Sequence, residues 1–251
     1  MIHIRSSNEV EKIRLSCRIV TETLDIVGGM IAPGVTPRAL DSAAEAYIRR
    51  QGGEPGFKGL YGYPATLCVS VEDAVVHGIP DDTPLKEGQI VSIDVGAIKD
   101  SYYGDHARTF AVGAVDKDRQ RLMDRTRECL DLGVRAAAVG NHVGDIGHAV
   151  QQHAEGAGFG VVRELVGHGI GTRLHEEPQV PNFGRPGFGV ELREGMCLAI
   201  EPMINMGTKE IFTRDDGWTV CTSDGKPSAH FEHTIVVTAN GPEILTKYET
   251  T

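Results

Sequence analysis

The sequence predicts a mixed α/β (α+β) fold in which one order of elements (helix, helix, strands) occurs twice. Three observations carry this. Two amphipathic helix patterns precede a β-rich stretch at about 65–112, and two more precede a second at about 161–246. The restart keeps its spacing: Leu24-Asp25-Ile26 matches Leu130-Asp131-Leu132, which is 130 less 24, an offset of 106. At that offset Ala32 meets Ala138, Gly34 meets Gly140, Leu40 meets Ile146 and Gly52 meets Gly158. The expectation is one domain over 1–251 with pseudo-repeat halves at about 7–112 and 113–246, and a site between them, where pockets tend to form.

The elements follow in order. Asn8 or Ser7 is the expected cap of a first helix carrying Ile13, Ile19, Leu24 and Val27, closed by Gly28-Gly29 and Pro33-Gly34. Thr36-Pro37 is a cap and first-turn pair for a second helix, which ends at Gly52-Gly53. In Gln89–His106 two strands flank Lys99-Asp100, the expected hairpin tip, which sets Asp94 opposite Asp105. Carboxylates paired across a hairpin lie roughly 5 Å apart at Cβ and raise each other's pKa. This hairpin therefore calls for a metal, a shared proton or a different register. Helices are expected again at about 116–139 and 143–157.

Composition narrows the class. The 251 residues are 40% hydrophobic and 24% charged, as in ordinary globular proteins. Twenty-five basic against 35 acidic residues give a net charge of −10, which argues against nucleic acid or an anionic membrane as partner. No run approaches the ~20 apolar residues of a membrane span, and the first residues carry no signal pattern. Five scattered cysteines without a CxxC pair indicate neither a structural zinc site nor a disulfide framework, so a cytoplasmic location is expected; a monomer is expected by default.

The second half adds its own acids. Glu201 ends the apolar strand Met196–Ile200, and Glu232 lies inside Ser228–Thr238. Unpaired charges are costly in such strands. His168 and His175 sit in the glycine-rich stretch Gly167–Pro178, whose backbone can approach a neighbour closely. Each acid alone is most simply a turn or strand-end residue. Together Asp94, Asp105, His168, Glu201 and Glu232 form an oxygen-rich set suited to two divalent first-row cations. No HExxH, GxSxG or GxxxxGK[ST] motif points to other chemistry. His77, before a turn, reads by itself as a packed loop histidine; His230 and His233 flank candidate ligands.

The strings HGIP at His77, IDVGAIKDSYYGD ending at Asp105, GHGIG at His168, HEEP at His175, IEP at Glu201 and FEHT at Glu232 together resemble the type I methionine aminopeptidases. The resemblance covers nearly the whole chain in motif order and spacing. It implies the "pita-bread" fold: a pseudo-twofold domain with a curved antiparallel sheet flanked by helices around a dimetal centre. It implies that Asp94 chelates one metal, that Asp105 and Glu232 bridge both, and that His168 and Glu201 complete the second. The ions would be cobalt, manganese, iron, zinc or nickel. They would activate a water for attack on the first peptide bond, Glu201 handling its proton, His175 contacting the carbonyl oxygen and His77 the scissile nitrogen. Tyr63, Cys68 and Trp218 would line the methionine pocket. Leu60, Leu174 and Phe57 depart from the family's usual residues there and reshape it. A monovalent cation, Na⁺ or K⁺, is implied near Glu72–Ala74 and Ser228.

The implied substrates are N-terminal methionine peptides and nascent polypeptides with a small second residue, with the ribosome as an associated partner. Ile2 is bulky, so this chain is expected to keep its own Met1, which an intact-mass measurement checks. Two rivals share the fold. Proline-directed aminopeptidases usually carry an additional N-terminal domain, for which 251 residues leave no room. Non-enzymatic binding modules lose metal ligands, and all five are present here.

Overall fold

The computed structural model describes residues 1–247. Helix α1 (Ser7–Met30) starts one residue earlier than a Ser7 cap and two earlier than an Asn8 cap would set it. Its cap is Ser6, whose N–H and hydroxyl both donate to the Glu9 carboxylate, at 2.9 and 2.8 Å. Gly28-Gly29 does not stop the helix. Gly28 serves packing instead: a Cβ there would meet Phe110 Cε1 at 2.6 Å. Helix α2 (Pro37–Arg50) begins as predicted, with the Thr36 hydroxyl accepting from Ala39 N–H.

The first half continues with strands β1 (Glu54–Pro55), β2 (Leu67–Val71), β3 (Ala74–Val76), β4 (Ile90–Lys99) and β5 (Tyr102–Ala111). Helices α3 (Lys117–Ala136) and α4 (Val143–Gly156) open the second half. The Asp116 carboxylate caps α3 by accepting from Arg119 N–H at 2.8 Å. The offset of 106 recurs in these bounds: α2 and α4 match at both ends, 37 with 143 and 50 with 156, and α1 and α3 end at 30 and 136. Strands β6 (Gly160–Val161), β7 (Gly167–Gly169), β8 (Glu176–Val180), β9 (Cys197–Ile200) and β10 (Met203–Asn205) follow. The last are β11 (Ile211–Thr213), β12 (Val220–Thr222), β13 (Ser228–His230), β14 (His233–Thr238) and β15 (Gly241–Ile244).

Two larger antiparallel sheets carry the site. One runs β1-β4-β2 with β5 on β4; the other runs β15-β14-β9-β7-β8. Each has a helix pair against it. Val20 and Leu24 of α1 and Leu40 and Ile48 of α2 share a core with Val91, Ile93 and Val95 of β4. Leu122 and Leu130 of α3 and Ile146 and Val150 of α4 share another with Leu198, Ile200 and Ile235. Each such side chain contributes about 1.5–3 kcal/mol by leaving water, so both sheets are held rigidly from behind.

The β4–β5 register corrects the sequence expectation. Lys99 pairs with Tyr102, so the tip is Asp100-Ser101, one residue later than predicted. Both tip residues have positive φ (50° and 66°), the conformation of a tight two-residue hairpin turn. Aspartate tolerates that conformation better than lysine does, so Lys99 stays in the strand. Asp105 consequently faces Gly96, and Asp94 faces Ala107. The two carboxylates still share a face, as a diagonal pair.

Candidate metal centre

Seams between the sheets bring the acids together. At its start the β14 segment leaves β9 and bonds to β5: Glu232 N–H donates to the Ala107 carbonyl at 2.9 Å. The Thr234 hydroxyl donates to the Asp105 carbonyl at 2.8 Å. Ala107 is the cross-strand partner of Asp94, so Glu232 arrives beside both aspartates. On the other flank His168 pairs with Ala199 in β7–β9, which sets it next to Glu201 at the end of β9.

His168 Nε2 stands 3.7 Å from Asp105 Oδ2 and 3.6 Å from Glu201 Oε1. Ligand atoms of Asp105, His168 and Glu232 all lie within 4.8 Å of one another. Asp94 and Glu201 stand outside that tightest group but line the same cavity of about 330 Å³. His77 and His175 line it too, as do Tyr63, Cys68 and Trp218. All ten residues expected to hold metal, act on the peptide or line the methionine pocket therefore border one cavity. Phe57, Leu60 and Leu174 also belong to its wall. Tyr63 and Trp218 pack edge to face with centroids 5.1 Å apart, and the Tyr63 hydroxyl lies 2.9 Å from both the Leu67 and the Gly78 carbonyls.

The electrostatics are unusual. Burial raises the Asp94 carboxyl to about 7, the Glu201 charge adding to the effect and His230 opposing it. Burial alone raises Glu201 to about 8. Asp105 is pushed well above the carboxylate range by burial and by the charges of Asp94 and Glu201. Glu232 is pushed up by burial and by Asp105, Glu201 and Asp94. The histidines move the other way. Burial, with His175 nearby, lowers His168 to about 3, and burial, with His230 and His175, lowers His77 to about 4. Burial also lowers His175 and His230.

These residues fit a divalent metal centre. Among the described residues no lysine or arginine pairs with any of the four carboxylates. Asp94 Oδ1, Asp105 Oδ1 and Glu232 Oε1 are buried with no hydrogen-bond partner among the described residues, a costly state that a cation relieves. His168 Nδ1 lies 2.9 Å from the Gly169 carbonyl, to which it donates, leaving the Nε2 lone pair facing the carboxylates. That is the tautomer a ligating histidine needs.

The residues expected around a monovalent cation adjoin. Ser228 N–H donates to the Glu72 carbonyl at 2.8 Å and Thr222 N–H to the Asp73 carbonyl at 2.9 Å, each carbonyl keeping a second lone pair.

Two residues at the site carried little or no sequence signal. His230 is buried, its Nε2 without a hydrogen-bond partner among the described residues and 3.5 Å from Glu201 Oε2; only its place two residues before Glu232 hinted at this. Tyr61 lines the cavity with its ring parallel to that of His175, centroids 6.2 Å apart, although it is 77% exposed. Its left-handed backbone (φ 51°) follows from three dimensions, not from any motif.

Comparisons with known proteins agree with this geometry. The profile of metallopeptidase family M24 matches residues 11–239. A methionine aminopeptidase of Clostridium perfringens is 49% identical over 246 residues, which cover 98% of this chain and 99% of that protein. The crystal structure of a methionine aminopeptidase from Thermotoga maritima superposes with a TM-score of 0.97 at 44% identity, covering 99% and 100% of the two chains. A prolidase from Pyrococcus furiosus shares the fold alone, at TM-score 0.81 and 24% identity; 98% of this chain covers 66% of it. With its buried acids in one cavity and its match over most of its length, the chain belongs to metallopeptidase family M24.

Proposed function

We propose that the chain removes N-terminal methionine from polypeptides whose second residue is small. The observation that carries this reading is the cavity itself: four carboxylates and His168 at its floor, and Tyr63, Cys68 and Trp218 in its wall. An aromatic and sulfur lining suits a thioether side chain, and high similarity to proteins named methionine aminopeptidase supports the same substrate.

Asp94, Asp105, His168, Glu201 and Glu232 would hold two divalent cations, which supply Lewis acidity and lower the pKa of a water. Glu201 takes the proton of the attacking water and passes it to the departing amine, a task suited to a buried carboxylate with raised proton affinity. His175, kept neutral by burial, donates an N–H to the carbonyl oxygen as negative charge develops there. His77, also neutral, contacts the scissile nitrogen. Asp94 orients the substrate's free amine, which restricts cleavage to chain ends. Leu165 and Met203 also line the cavity, and their bulk favours a small second residue.

The test is turnover of Met-Ala-Ser, Ala-Ala-Ser and Xaa-Pro peptides by metal-free enzyme reconstituted with one ion at a time. Met-Ala-Ser is expected to be cleaved best. Preferential cleavage of Xaa-Pro peptides would overturn the reading.

A further inference from the structure

We infer that Arg5, outside the cavity, is a positioning residue for His175; the inference rests on the role proposed for His175 above. Residues 2–5, ahead of α1, lie alongside the start of β8. Ile2 bridges Glu177 in parallel fashion, and Arg5 N–H donates to the Gly195 carbonyl at 2.8 Å. The Arg5 guanidinium reaches inward to pair with the Glu176 carboxylate, the residue next to His175. Both side chains are almost wholly buried, at 6% and 2% exposure.

The Glu176 carboxylate has two jobs. Oε2 takes Arg5. Oε1 accepts from Arg173 N–H at 3.1 Å and from the Thr172 hydroxyl at 3.3 Å. Those two residues form the loop that leads into His175. Gly171, at the start of the loop, is fixed from both sides. Its carbonyl accepts from Tyr103 N–H at 2.8 Å, and a Cβ on it would fall 2.0 Å from Arg5 Nη2. The glycine that the sequence offered as a close-approach point is thus the face on which the guanidinium rests.

Arg5 is itself held. Nη1 donates to Glu9 Oε1 at 3.3 Å, and the Tyr102 hydroxyl donates to the same oxygen at 3.1 Å. Glu9 closes the cap of α1. A rigid path therefore runs from the α1 cap through Glu9, Arg5 and Glu176 to the His175 loop, whose histidine ring meets His168 edge to face with centroids 4.6 Å apart. A group that must meet an oxygen only as charge develops there depends on placement to a fraction of an ångström. The backbone bonds of a six-residue loop alone do not supply that. The Arg5–Glu176 pair does.

The test is steady-state kinetics of the metal-loaded enzyme on Met-Ala-Ser. Removing Arg5 alone leaves the Glu176 carboxylate buried and unpaired, which endangers folding. The main variant is therefore Arg5→Met with Glu176→Gln, which removes both charges, and circular dichroism checks its fold. The expected result is a kcat lowered about tenfold, with KM changed less than about twofold and metal content unchanged. Arg5→Lys, which keeps the charge, recovers part of the loss. In a His175→Ala background the pair of substitutions costs no further activity, because the group they position is gone. A folded, metal-loaded double variant with wild-type kcat would overturn the inference while leaving the role of His175 intact, and so would an undiminished loss in the His175→Ala background. His175→Ala with wild-type kcat would overturn the reading of His175 itself, and the inference with it.

Discussion

The β4–β5 hairpin and the β9–β14 pair both deliver two carboxylates to the centre, by different geometry. On the hairpin the acids are diagonal: Asp94 faces Ala107, and Asp105 faces Gly96. On β9–β14 the register ends where His233 pairs with Ile200, and Glu232 and Glu201 are the next residue of each strand beyond that pair. The hairpin is a local structure whose turn alone fixes its ligands. The other pair joins segments about thirty residues apart and needs β5 as well, through Glu232 N–H on the Ala107 carbonyl. Part of the electrostatic cost lies within the hairpin, between Asp94 and Asp105, and more is added where the two sheets meet, so metal binding and sheet docking should be coupled.

The largest expected effect tests whether both pairs serve one centre. Asp105→Ala on the hairpin and Glu232→Ala on the other pair should each abolish turnover and tight divalent-ion binding together, read by peptide assay and by titration calorimetry. If Glu232→Ala kept wild-type affinity while Asp105→Ala lost it, the centre would belong to the hairpin alone and the comparison would break.

Next comes pH. Asp94 and Glu201 have folded-state values raised to about 7 and about 8, so their contribution to stability is complete below the ordinary carboxylate range near 4 and disappears as pH rises through the raised values. His168 and His77, lowered to about 3 and 4, act in the opposite sense. Their contribution is complete above about 6.5 and is lost as pH falls. Between about pH 6.5 and 8.5 the histidine contribution is flat and the slope belongs to the carboxylates. Metal-free protein should therefore lose Tm across that window in a calorimetric scan, and saturating divalent ion should remove the decline. A flat metal-free profile would mean the four acids are better compensated than their burial implies.

The same contrast explains what the sequence made legible. Helix bounds came within a few residues because caps are local: Thr36-Pro37 and Asp116 act within one turn. The hairpin was found from its strand pattern, but its tip was misplaced by one residue, since the choice between Lys99 and Asp100 at the first left-handed position turns on a fraction of the energy in a single φ. The ligand set emerged because charged residues in apolar strands demand partners, while its roles came from family resemblance. His230 and Tyr61 stayed hidden. One becomes a neighbour of Glu201 only when β13 packs on β10, and the other faces His175 only through an unusual backbone turn.

A smaller effect sharpens the diagonal register. Gly96, opposite Asp105, is where Phe57 covers the hairpin: a Cβ would meet Phe57 Cε1 at 2.5 Å. Gly96→Ala should destabilise the fold by about 1–3 kcal/mol through overpacking and raise KM for Met-Ala-Ser, because Phe57 lines the cavity. Denaturant unfolding and steady-state kinetics read the two consequences separately. A neutral result would place the phenyl ring elsewhere in solution.

The smallest effect concerns the pocket wall, where Tyr63 ties the first sheet to the segment that follows β3. The Tyr63 hydroxyl reaches the Leu67 carbonyl on β2 and the Gly78 carbonyl just beyond β3, both at 2.9 Å, and has one proton to give. Tyr63→Phe keeps the ring against Trp218 and deletes only that donor. It should cost about 1 kcal/mol of stability, the usual net worth of one hydrogen bond, with kcat unchanged, since on the proposed substrate reading the ring and not the hydroxyl would face the thioether. A large fall in kcat would instead mean that the hydroxyl holds His77, one residue before Gly78, in place for catalysis. The wall would then be as much a part of the chemistry as the acids beneath it.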